Sequence, residues 1–307
     1  MPPALIKKLF NQPYLLMPLT ALFWAGNIIV GRYVAHHIPP ITLTSLRWIG
    51  ACLLILPFAW RHLRKDKKAI SKHLPMLLLL SMIGFGLNNA LSYWALQHTQ
   101  AITALLIQSS NPLFFAFWAW LLLGVGITLP QTLGIMLSIT GVLIILLRGN
   151  FTVLNEVSFN IGDLIFMLTL VFFGLYSVLM ARRPPIHPLS LIAVTMGCGG
   201  LMLLPGVAWE MFNGQFLAAD NTTIFTLIFV ILFPSVLSYL FFNKSISLIG
   251  PNRVAPFLHL TPVFGSAMAI LFLGEKLELF HLVGYALVLA GIFFAARQQK
   301  QPARQAG

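Results

Sequence analysis

The chain has 307 residues, 58% of them hydrophobic and only 8% charged, and its mean hydropathy is +0.88. An ordinary soluble domain carries about 25% charged residues. Too few charges remain here to clothe a water-facing surface, which excludes a cytosolic enzyme, a secreted disulfide scaffold and a disordered chain. Net charge is +12, yet the lysines and arginines lie between apolar runs and not on one polar face, so no nucleic-acid partner is expected.

Lys7 and Lys8 precede an apolar segment from about Tyr14 to Ala35. No small-residue cleavage site follows, so the segment reads as a retained first spanning helix and not as a signal peptide. The apolar runs are 14–35, 42–60, 74–94, 101–122 and 130–147, then 161–181, 188–208, 223–243, 252–273 and 280–296. Most are too long and too apolar all round to be surface helices. A span takes about 20 residues, so ten spans fit the length. Turn residues or charges mark the breaks: Pro39-Pro40, Arg61 to Lys72, Arg148-Gly149-Asn150, Pro184-Pro185, Asp220-Asn221 and Gly250-Pro251-Asn252. Cys52 and Cys198 both fall inside apolar runs and read as small core residues.

Orientation follows from the sorting of basic residues. With the N-terminus in the cytoplasm and the spans alternating, 15 of the 19 basic residues lie inside, including Lys7, Lys8, Arg61 to Lys72, Arg182, Arg183, Lys244, Arg253, Arg297, Lys300 and Arg304. Arg32, Arg47, Arg148 and Lys276 lie outside, with Glu156, Asp163, Glu210, Asp220, Glu275 and Glu278. Both termini are therefore expected in the cytoplasm. The run Arg61–Lys72 reads as a topology anchor.

The chain also repeats itself. At an offset of 148, Gly26 meets Gly174, Pro40 meets Pro188 and Pro57 meets Pro205. At 150, Pro112 meets Pro262, Gly124 meets Gly274, Gly134 meets Gly284 and Gly141 meets Gly291. The expected fold is thus an all-α polytopic membrane protein: ten transmembrane helices as two inverted five-helix repeats, 1–150 and 151–307. Inverted repeats are a transporter device, in which one half rocks against the other around a midplane site.

ALFWAGNIIVGRYVAHHIPPITLTSLRWIGACLLILP, then LSYWALQHTQAITALLIQSSNPLFFAFWAWLLLG and LGIMLSITGVLIILL, are similar to the blocks of the EamA family in the drug/metabolite transporter superfamily. The second half resembles the later block again, in LSYLFFNKSISLIGPNRVAPFLHLTPVFGSAMAILFLGEKLELFHLVGYALVLAGIFFA. The resemblance covers nearly the whole chain. It implies a multi-pass protein of the bacterial inner membrane that exports amino acids or other small metabolites, aromatic or neutral amino acids foremost. The family's LGE stands at Leu273-Gly274-Glu275, whereas the first half reads Leu123-Gly124-Val125. A gating role implied for Glu275 is thus open to one half only. Arg47 matches the arginine of the first block. It reads as a carboxylate ligand or as a snorkelling or packing arginine, the second being favoured.

Polar residues inside spans are the candidates for substrate contact. Asn27, with Trp24 nearby, lies midway along the first run and reads as an amide contact or a helix–helix hydrogen bond. Asn88 and Asn89 cannot point the same way on a helix, and Asn88 is the one expected to face a cavity. Gln108-Ser109-Ser110-Asn111-Pro112 is the most polar stretch inside any span, and Leu258-His259-Leu260-Thr261-Pro262 is its counterpart. In both a proline frees a backbone carbonyl at mid-membrane depth. Pro112 and Pro262 are expected as hinges, and Gln108, Ser109, Asn111, His259 and Thr261 as substrate contacts. Tyr176 and Tyr239 add hydrogen-bonding aromatic walls.

No carboxylate sits at an expected midplane, and no phosphate loop, HExxH or CxxC occurs. Neither an enzyme nor a pump is expected, and no cofactor or metal. If a proton is carried, His98 or His259 is the candidate. The expected partners are a small-molecule substrate and the bilayer, with no obligate protein partner implied.

Overall fold

The computed structural model describes residues 11–124, 129–149, 160–250 and 254–296. The readings that fall on Lys7, Lys8, Val125, Glu156, Arg253, Arg297, Lys300 and Arg304 lie outside them. Among the described residues the chain is helical and has no β-strand. The rods are α1 (Pro13–Tyr33), α2 (Pro40–Lys72), α3 (Leu74–Leu96), α4 (Ala101–Leu123), α5 (Leu129–Leu146), α6 (Ile161–Arg182), α7 (Pro188–Phe212), α8 (Asn221–Ile249), α9 (Ala255–Leu273) and α10 (Leu279–Ala296). Seven of these, α1 to α4 and α6 to α8, are long and apolar enough to cross a membrane. The other three are shorter apolar helices.

Two boundaries depart from the sequence reading. Arg61 to Lys72, expected as a break, continues α2, which stops only at His73. Lysine, arginine and alanine are good helix formers, so charge ends the apolar stripe without ending the helix. Likewise α7 runs on to Phe212, after a turn at Met202 and Leu203. That extension places Glu210 in its last turn, 1% exposed, instead of in an outer loop.

The packing has a simple pattern. Helix α1 lies against α8 and α9, while α6 lies against α3 and α4. Helix α2 runs along α7, and α5 along α10. Exchanging α1–α5 for α6–α10 maps this pattern onto itself. Glycine permits the closest approach: a Cβ built on Gly141 would stand 2.5 Å from the Gly284 carbonyl oxygen, and one on Gly291 would run into Ser138 and the Gly134 carbonyl. Gly134, Gly141, Gly284 and Gly291 thus form an interhelical seam of small residues, which lets backbones meet in an apolar medium. Large apolar side chains cover the periphery, among them Phe117, Trp120, Phe225, Leu271 and Phe272.

Helix ends at the two faces are held by acids from elsewhere. Glu210 accepts from the backbone N–H groups of Ile41 and Thr42, both at 2.8 Å, at the start of α2. Conversely, Asp66 near the end of α2 accepts from the His187 N–H at 2.9 Å, at the start of α7. The antiparallel pair α2/α7 is therefore capped reciprocally.

Asp220 begins α8, accepting from the Thr223 N–H at 2.8 Å, and its other oxygen lies 2.9 Å from His37 Nε2. The Thr223 amide, and then His37, hold this exposed carboxyl below its ordinary value. A carboxyl whose folded pKa is depressed stabilises above its unfolded value, about 3.9, and loses that contribution as pH falls through the lower folded value. Protection of the Thr223 amide, its exchange relative to an unstructured amide at the same pH, is therefore expected to be high at pH 5 and to fall as the pH drops below about 4. In Asp220→Asn that pH dependence disappears. A Thr223 exchange profile identical in both proteins contradicts the cap.

Candidate functional site

Two wide turns position the site. Met82–Leu87 of α3 and Ile231–Leu237 of α8 are π-helical, a distortion that frees carbonyls and frequents functional sites. Side chains five residues on take up those carbonyls. Asn89 Nδ2 donates to Gly84 O at 3.2 Å, Ser235 Oγ to Val230 O at 2.7 Å and Ser238 Oγ to Phe233 O at 2.9 Å. Trp24 Nε1 on α1 donates to the Pro234 carbonyl at 3.2 Å.

The two distorted segments face a buried arginine. Arg47 on α2 is 3% exposed, so of the favoured reading, a snorkelling or packing arginine, the structure shows the packing arm. Its Nε donates to Ser235 Oγ at 2.7 Å, and its Nη1 to Asn89 Oδ1 at 3.1 Å and to the Tyr93 hydroxyl oxygen at 3.0 Å. The Tyr93 hydroxyl donates in turn to Asn27 Oδ1 at 2.6 Å. One polar chain thus links α1, α2, α3 and α8. Beneath the guanidinium lies the Trp48 ring, with its centroid 4.3 Å from Cζ. Trp48 meets Phe85 edge-on at 4.9 Å and Tyr239 at 6.2 Å. Tyr176 meets Phe85 at 5.8 Å, and Trp24 meets Tyr239 at 6.2 Å.

Of the residues singled out from sequence, Trp24, Asn27, Tyr176, Tyr239 and Arg47 come together here. Asn89, not Asn88, joins the network; the Asn88 backbone carbonyl accepts from Ser92. Tyr93 and Ser235 were not among the expected contacts, because only the fold brings them to the arginine. The π segments left only weak marks, Gly84-Phe85-Gly86 and Pro234-Ser235.

A second polar locus forms at the breaks in α4 and α9. Helix α4 is interrupted at Ser109 and Ser110 and resumes at Asn111, with Pro112 in its new first turn, where a proline is tolerated. Gln108 Oε1 and Asn111 Oδ1 are buried there without a hydrogen-bond partner. In α9, Ala255–His259 is a 3-10 segment, and the α-helix begins at Leu260 with Pro262 and the buried Thr261 in its first turn. Tyr285 on α10 donates to the His259 carbonyl at 3.4 Å. Ser109 Oγ donates to Leu105 O, four residues back.

Glu275 binds a helix start. It accepts from the Ala101 and Ile102 N–H groups at 2.8 and 2.9 Å, at the beginning of α4. Its Oε1 also lies 4.0 Å from Arg32 Nε, and Arg32 donates to the Leu96 carbonyl at 2.8 Å. One carboxylate therefore ties the α9–α10 turn to α1 and α4. A cleft of ≈650 Å³ lies over this contact, lined by Arg32, Tyr33, His36, Gln100, Glu275 and Lys276 among others. No metal-holding group of side chains occurs among the described residues.

The model of the EamA-like transporter family matches twice, over residues 12–147 and 160–297, and the chain belongs to that family. It is 28% identical over 290 residues to the uncharacterized transporter YyaM of Bacillus subtilis (strain 168), covering 92% of this chain and 93% of that protein. A probable amino-acid metabolite efflux pump of Salmonella typhimurium is 25% identical over 298 residues, covering 90% of this chain and 91% of the other. A solved crystal structure, 15% identical, superposes with a TM-score of 0.60 over 92% of this chain and 95% of its own. The protein is thus a multi-pass membrane transporter.

Proposed function

We propose that this transporter exports amino acids, aromatic or other neutral ones, across a bacterial inner membrane by alternating access. The observation that carries the reading is the buried junction of α1, α2, α3, α6 and α8. There a polar chain around Arg47 adjoins an aromatic cluster of Trp24, Trp48, Phe85, Tyr176 and Tyr239. Aromatic walls with a few placed polar groups suit a small amphipathic solute. The efflux-pump relative supports the cargo class and the direction.

Ten spans in two inverted five-helix halves, with both termini in the cytoplasm, complete the proposal. Its support is the double family match, the packing pattern that survives exchange of the halves and the sorting of lysine and arginine in the sequence. Gln108, Ser109, Asn111, His259 and Thr261 serve as further substrate contacts at the two helix breaks, and the unpartnered oxygens of Gln108 and Asn111 favour this. Pro112 and Pro262 act as hinges and Glu275 as a gate.

Counterflow in proteoliposomes tests the cargo. Vesicles filled with unlabelled amino acids are expected to accumulate labelled phenylalanine, methionine and threonine, and Asn111→Ala and His259→Ala to exchange them less. Folded protein that exchanges none of them sinks the amino-acid reading. Another small metabolite or drug is the second reading, since the first-matching relatives are named only as transporters.

A further inference from the structure

We infer that Arg47 and Trp48 form an anion anchor, so that the transported solute carries a carboxylate or a comparable planar oxyanion. The inference rests on the transporter reading and narrows it to a chemical class.

Arg47 is a buried cation whose partners are all neutral: a serine, an asparagine and a tyrosine. Among the described residues no carboxylate pairs with it. Glu210 is engaged at the start of α2, Asp163 with Thr99, Glu275 at α4, Asp220 at α8 and Asp66 at α7, while Glu278 is exposed in the α9–α10 turn. A buried charge without an opposite charge is costly, and neutral dipoles compensate it less than a carboxylate does. The guanidinium is also incompletely used, since Nε and Nη1 donate but Nη2 has no acceptor among the described residues. Its two remaining N–H groups, both on Nη2, can give a carboxylate oxygen a charge-assisted hydrogen bond.

A second observation points the same way. Trp48 is 1% exposed, and its Nε1–H has no acceptor, although buried polar groups are as a rule hydrogen-bonded. That unpartnered donor lies on the residue next to Arg47, with its ring stacked under the guanidinium. Two donors on consecutive residues of α2 thus lack an acceptor, at a junction where Phe85 and Tyr239 pack against Trp48. An oxyanion satisfies both, while the aromatic rings cover an apolar body. The same junction offers no acid to an ammonium or a lipophilic cation, so cations without a carboxylate are rejected.

The test compares four solutes that share a phenyl ring: 3-phenylpropionate, phenylalanine, phenylalaninamide and phenethylamine. In counterflow the two acids are expected to exchange, and the amide and the amine about tenfold less or worse. Trp48→Phe keeps the ring and removes the N–H. It is expected to raise KM for the acids several-fold with little change in kcat, and to shrink the preference for acid over amide. Exchange of the amide equal to that of phenylalanine overturns the anchor, as does an unchanged preference in active Trp48→Phe. Arg47 also joins four helices, so its replacements are read by melting in detergent. Both acids are expected to raise the melting temperature of the wild type but not of folded Arg47→Lys, which keeps the charge and loses the Nη2 donors. If neither amino acids nor any of the four solutes exchange, melting decides. A shift with 3-phenylpropionate and none with phenethylamine keeps the anchor and discards the amino-acid cargo. No shift with either acid discards the anchor.

Discussion

Replacing Glu210 by alanine is expected to destabilise the protein by about 3 kcal/mol, because it leaves several buried donors without an acceptor. Helix α2 starts at Pro40, and the residue before it, Pro39, makes no side-chain cap. Its first N–H groups therefore depend on another helix. Glu210 is 1% exposed and accepts from Ile41 N, Thr42 N and, at 2.7 Å, Thr42 Oγ1. Its charge also faces the positive end of the α2 dipole. Glu210→Gln keeps the shape and loses the charge, so it falls between wild type and alanine. Asp66→Ala removes the reciprocal cap on α7, but that carboxylate is exposed, and its loss costs much less. Thermal unfolding followed by tryptophan fluorescence ranks the four proteins. Glu210→Ala melting with Asp66→Ala contradicts the buried cap.

Gly141→Leu and Gly284→Leu are each expected to cost about 3 kcal/mol or more by forcing side chains into a closed seam. At Gly141 a Cβ alone stands 2.5 Å from Gly284 O and 2.9 Å from Val288 N. Those obstacles are backbone atoms, which cannot turn aside as a side chain can. Only separation of α5 from α10 makes room, and separation takes Ser138 Oγ from the Val288 carbonyl, now at 3.2 Å. Ser138→Ala, which keeps the seam closed, is expected to lose only about 1 kcal/mol. The monodisperse fraction in size-exclusion chromatography reads the difference. Leucine variants that elute as the wild type contradict the seam.

The sequence was informative where one residue type has one physical meaning. Apolar runs located the helices, since a bilayer demands length and hydrophobicity together. Gly134, Gly141, Gly284 and Gly291 were visible as a repeat, and the seam explains them. Gly124 and Gly274 both end their helices in the left-handed conformation, φ 65° in each, which glycine adopts at no steric cost. Arg47, Trp24, Asn27, Tyr176 and Tyr239 were legible as polar or aromatic groups inside spans. What the sequence hid depends on packing. Glu210 looked like a loop acid because it closes the helix to which it does not belong. Asn88 and Asn89 are equivalent in sequence, and the π segment before them decides which one reaches Arg47. Ser235 and Tyr93 gain their meaning only from a partner 188 and 46 residues away.

In the proposed alternating access, the turn carrying Glu275 parts from α1 and α4 for the solute to pass. A variant without Cys52 and Cys198, carrying Arg32→Cys and Glu275→Cys, tests it through a short, reducible thiol crosslinker. Counterflow of phenylalanine is expected to stop when the two positions are joined and to return on reduction, while either single-cysteine variant is unaffected by the reagent. Undiminished counterflow in fully crosslinked protein contradicts the account.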